Sequence, residues 1–148
     1  MAPLADATAS SVLTVATNNT TGYNLTATDA SDTIGMVHAN LINTVLDWTG
    51  TPAAPTTWAA GVSGFFGLTV LSATGGKDTS RWGIGTTPTD YVNNKYVGLR
   101  STTTTLYNRN TYSAPADTIT TSYRINVVSA QLSGIYSTSI TYTATANP

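Results

Sequence analysis

The chain has no cysteine and no glutamate, a single histidine, and only four arginines and two lysines in 148 residues. Without thiols, neither a disulfide framework nor a thiolate metal site can form, and the redox compartment leaves no mark on the sequence. With no Glu and one His there are few acid–base groups, which puts an enzyme last among the functional classes, and no cofactor is expected. A formal charge of −1, with the six cations scattered along the chain, provides no field for phosphates or anionic lipid. No nucleic-acid or membrane-surface partner is expected on that ground. No apolar run approaches the ~20 residues that span a bilayer. The opening MAPLADATASS lacks a basic segment followed by an apolar core, so an exported form is expected to have lost its signal.

Charged residues make up 9% of the chain, against about a quarter in ordinary domains, and Thr, Ser, Asn and Ala stand in their place. The surface is therefore neutral and rich in hydroxyls. Low charge does not mean disorder here: 41% of residues are apolar, and they recur in patterned runs with eight Tyr and three Trp. The length suits one domain, 12–148, preceded by an N-terminal arm or partial first strand over 1–11.

Period-two alternation dominates. Ile119, Thr121, Tyr123, Ile125 and Val127 fall on one face of a strand, with Thr118, Thr120, Ser122, Arg124 and Asn126 on the other. SGIYSTSITYTATANP repeats the pattern, and the two runs read as an antiparallel hairpin or as strands joined by a longer loop around Gly134. SSVLTVAT and GYNLTATD, separated by NNTTG, predict a second hairpin. FFGLTVLSA, SRWGIGT, KYVGLRS and TTTTLYN are shorter strand candidates. The spacing of Val37, Leu41, Val45 and Trp48 predicts a short helix over 36–48, although its β-branched content also permits a bent strand. The fold class expected is an all-β antiparallel sandwich of immunoglobulin-like or fimbrial type.

Few residues suggest chemistry. His38 has no acidic neighbour in sequence and reads as a core or surface histidine. Asp29 and Asp32 in TDASD read as turn caps, and a Ca²⁺ site there needs more oxygen ligands than two carboxylates provide. Among the aromatics, Trp48 and Trp82 are expected in the core. Trp58, Tyr91 and Tyr96 are the candidates for a sugar-stacking platform, which makes a carbohydrate-binding or adhesion module the main alternative function. A viral or phage fibre domain shares the same composition.

Three stretches, TVATNNTTGYNLTATD, RWGIG and SAQLSGIYSTSITYTATANP, resemble bacterial surface β-sandwich modules: spore coat protein U-like and fimbrial subunits and the WxL-like domains of cell surfaces. The resemblance implies an exported, non-enzymatic subunit of a cell surface or fibre, extracellular, whose partner is itself or a neighbouring surface domain. The chain departs from the pattern in having no cysteine and in a first strand that reads as shortened to MAPLADATASS. A short first strand would leave an edge open, which fibres fill by strand complementation. The residues expected at such a junction are Ala2, Leu4 and Val12 at the front and Ile135, Ile140 and Tyr142 at the end, with either the arm Ala2 to Ser11 or the last strand bridging to the next copy.

Overall fold

The computed structural model describes residues 6–59 and 61–148. In chain order the elements are β1 (Asp6–Thr17), β2 (Tyr23–Thr28), β3 (Ile34–His38), β4 (Thr44–Asp47), β5 (Thr56–Thr57), β6 (Phe65–Ala73), α1 (Thr79–Trp82), β7 (Lys95–Tyr96), β8 (Thr104–Arg109), β9 (Ser113–Asn126), β10 (Tyr136–Ser137) and β11 (Thr141–Ala146). They build an all-β sandwich. One sheet has the order β1-β9-β6-β4-β3-β10, the second has the order β11-β2-β8, and β5 and β7 form a small ribbon. Between the sheets, Tyr23, Leu25 and Ala27 of β2 and Leu106 of β8 meet Leu68 and Val70 of β6 and Ile119 of β9. Burying each such aliphatic side chain contributes roughly 1.5–3 kcal/mol.

The predicted helix over 36–48 is instead the β3–β4 hairpin. Asn40 accepts hydrogen bonds from the backbone N–H of Ile42 (3.0 Å) and Asn43 (3.2 Å), and Leu41 takes φ 62°. A short amide side chain that satisfies the backbone locally favours a turn over a helix. A helix here would also need cover for its apolar stripe, yet Leu41 is 82% exposed. The one helix among the described residues is α1, which takes up the start of the SRWGIGT stretch that reads as a strand. Asp78 caps it by accepting from Ser80 N and Arg81 N, and Trp82 is fully buried with its indole N–H donating to the Leu106 carbonyl at 3.1 Å.

Both predicted hairpins are corrected as well. β1 and β2 lie in different sheets, so NNTTG is a corner between layers and not a hairpin turn. The closing run is divided: β10 pairs with β3 in the first sheet, and β11 crosses over to pair with β2 in the second. β9 pairs with β1 and β6 and not with its successor. Local alternation reports that a segment is a strand but carries no information on which strand it joins.

Nor is the first strand shortened. β1 begins at Asp6, pairs with β9 from Asp6↔Asn126 onward, and runs twelve residues, so the boundary drawn between 11 and 12 falls inside it. The outward side chains of Thr8, Ser10 and Thr14 are exposed and polar, which is why DATASS reads as too polar for a strand.

Candidate functional site

β1 is an edge strand whose outer residues Thr8, Ser10, Val12, Thr14 and Ala16 are all exposed, while Leu13 and Val15 turn inward onto the core. Among the described residues, β9 is the only strand that pairs with it. Its other edge therefore presents a row of backbone N–H and C=O groups without strand partners. Natural edges of this length are usually blunted by lysine, proline or an inward charge, but from Ala7 to Thr17 there is none of these. β11, one edge of the second sheet, is likewise mostly exposed. Tyr142 within it and Ile140 just before it pack on the same core as Leu13 and Val15, and the Tyr142 hydroxyl meets that of Tyr123. Burial and this contact push the Tyr142 phenol upward.

Next to the N-terminal half of β1 lies an apolar groove of about 720 Å³. Ala7, Ala9, Phe66, Tyr123 and Ile125 form its floor and the crossover from Val127 to Ile140 forms one wall. The groove exists because the inward residues of β1 there, Ala7 and Ala9, are small, and because the second sheet has three strands against six in the first.

Of the residues expected at a junction, Val12 is 64% exposed on β1, Ile140 and Tyr142 are half-buried, and Ile135 is 76% exposed outside any strand. The described part of the arm, Asp6 to Ser11, pairs within its own chain, as does β11. Ala2 and Leu4 lie outside the described residues. The end of β11 is fastened by Asn147, whose side-chain N–H groups donate to the carbonyls of Thr21 and Arg109, both at 2.8 Å, while its own carbonyl accepts from Asn19 at 2.7 Å.

Trp58, Tyr91 and Tyr96 do come together, but as packing. Trp58 and Tyr96 are buried, at 4% and 0% exposure. Trp58 stacks on Trp48 with ring centres 4.2 Å apart and 8° between planes, and Tyr96 meets it edge-on. The Arg124 guanidinium carbon sits over Trp58 at 4.5 Å and over Tyr91 at 3.6 Å, and Arg124 also grips Asp6 with two hydrogen bonds of 3.2 and 2.6 Å. Rings engaged in this way have little face left for a saccharide. Sequence reasoning missed Arg124: its neighbours in alternation read as an outer face, and only the fold brings the segment carrying Trp58 and Tyr91 over that face.

The polar candidates are structural in their contacts. His38 accepts from Asn40 N at 3.1 Å and lies 4.8 Å from the Tyr136 ring, where β10 joins β3. Asp29 caps its turn by accepting from Ser31 N, whereas Asp32 accepts from the N–H and hydroxyl of Ser101, so the two carboxylates take different partners. Asp47 is a further buried carboxylate that sequence reading did not single out. Among the described residues, its two oxygens and Oδ2 of Asp29 have no hydrogen-bond donor, and burial, helped by the charge of Asp29, pushes Asp47 up to about 7. No set of three or more His, Asp or Glu side chains converges to hold a metal among the described residues.

No protein-family model, curated protein or solved structure matches this chain.

Proposed function

We propose that the chain is a non-enzymatic, exported structural subunit of a cell surface or fibre, which associates with further copies of itself by adding strands at its sheet edges. The observation that carries this reading is β1: twelve residues at the end of a six-stranded sheet, with an uncapped backbone edge and an apolar groove alongside. Such an edge is a template for β-augmentation, in which main-chain hydrogen bonds supply affinity and side-chain pockets supply specificity. The near-zero net charge allows like copies to approach without repulsion. The resemblance to fimbrial and coat-type modules supports the same reading.

Sedimentation velocity over a concentration series, with electron microscopy of the same samples, tests it. Dimers or longer assemblies are expected at micromolar to high-micromolar protein. A chain that stays monomeric throughout that range sinks the proposal.

A further inference from the structure

We infer that two copies join through β1 itself, antiparallel about a twofold axis beside Val12, merging their six-stranded sheets edge to edge. This rests on the self-association proposed above and specifies its partner surface, register and symmetry.

Among the described residues β1 is the long free edge of its sheet; β10, at the opposite end, has only two residues. Residues directly opposite across an antiparallel join point to the same face. An axis beside Val12 therefore pairs inward residues with inward residues: Ser11 faces Leu13 of the second copy, Ala9 faces Val15 and Ala7 faces Thr17. On the outer face Thr8 meets Ala16, Ser10 meets Thr14, and Val12 meets its own mate. Each inward pair sets a small side chain against a larger one, so the strand is complementary to itself when reversed. The alanines that open the groove in one copy gain Val15 and Thr17 of the other beside them. Val12, 64% exposed in the single chain, is covered by its counterpart.

Electrostatics agree with this register. No charged residue occurs from Ala7 to Thr17, so no like charges face each other across the axis. Asp6, engaged with Arg124, stays outside the paired span, whereas an axis one residue earlier would place it opposite Ala16. A twofold contact of this kind is isologous and closes on itself, so the joined unit is a dimer, and a longer fibre would need a second surface.

The absence of cysteine gives a clean test, because a single introduced thiol has no competitor. Val12, Thr8 and Ala16 are exposed, so cysteine there leaves the core untouched. Opposed residues in an antiparallel pair have Cα atoms about 4.5–5.5 Å apart, within disulfide reach. Val12→Cys alone should become a disulfide-linked dimer for most of the protein on mild oxidation. Thr8→Cys alone and Ala16→Cys alone should remain uncrosslinked, because each lies about 26 Å from its own mate, yet a mixture of the two should crosslink as a heterodimer. Association of the unmodified chain in sedimentation without crosslinking of Val12→Cys, or with Ser11→Cys crosslinking in its place, overturns this register while leaving self-association standing. A monomeric chain removes both.

Discussion

The guanidinium of Arg124 lies 3.6 Å from the ring centre of Tyr91, deep against a strand face that alternation alone assigns to solvent. The same side chain holds Asp6 at 2.6 Å and so ties the first residue of β1 to β9. Asp6, left behind without Arg124, keeps access to water, so the loss falls below the roughly 3–5 kcal/mol of a fully buried pair. Arg124→Met, which restores bulk but not charge, should destabilise by about 2–4 kcal/mol in chemical denaturation. Arg124→Lys should recover little, since an ammonium cannot both stack flat and make the two-point contact. Full recovery by lysine would show that charge alone matters at this position.

Trp58 separates the packing reading from the sugar platform. Trp58→Ala deletes a ring stacked on Trp48 and should lower stability by about 3–5 kcal/mol. Glycan-array binding by the intact chain, abolished in a Trp58→Ala protein that unfolds at the same denaturant concentration, would restore the carbohydrate-binding alternative.

Asp47 sets a pH dependence. Its carboxyl sits at about 7 in the folded chain against the ordinary 3.8. Between those values the folded state binds a proton that the unfolded state has released, so stability declines as pH rises through the window and levels off above it. Asp47→Asn should therefore gain relative to the parent chain by about 2–4 kcal/mol between pH 4 and pH 8. Asp29, raised in the same sense by burial, leaves a residual slope. Thermal melts of both proteins across that range check this; parallel melting curves at every pH would refute it.

Charging the free edge should block association without touching the fold. Ser10→Lys combined with Thr14→Lys places ammonium groups on exposed positions of β1, each with an effect on stability of about 0.5 kcal/mol or less. The double variant should sediment as a monomer at concentrations where the parent associates. If it assembles as before, association runs through another edge, with β11 the next to test.

Asn147 secures the last strand. Asn147→Ala removes donors to the Thr21 and Arg109 carbonyls and should raise amide hydrogen exchange in β11 well before the rest of the second sheet. Uniform protection across both sheets in the variant would show that β11 is held by its ladder to β2 alone.

How much was legible in advance varies with the kind of information involved. FFGLTVLSA became β6, TTTTLYN lies largely in β8, and the alternating run from Thr118 forms the C-terminal part of β9, because alternation and β-branched content act within a few residues. MVHANLINTVLDW carries four apolar residues at helical spacing, but the Asn40 side chain closes a turn in its middle and overrides that pattern. The partners of the last strand were not legible, since two strands of like pattern pair equally well until layers and crossovers are set.

Composition and periodicity by themselves determined that this chain is a neutral, hydroxyl-rich β protein without thiol chemistry, because strand character and charge are local properties of side chains. Only the tertiary structure decided that β1 stands open at an edge, that Arg124 lies buried among aromatic rings, and that Asp47 is held away from water. Those outcomes depend on which distant segments stack on a given face, and burial, unlike alternation, is conferred by neighbours remote in sequence.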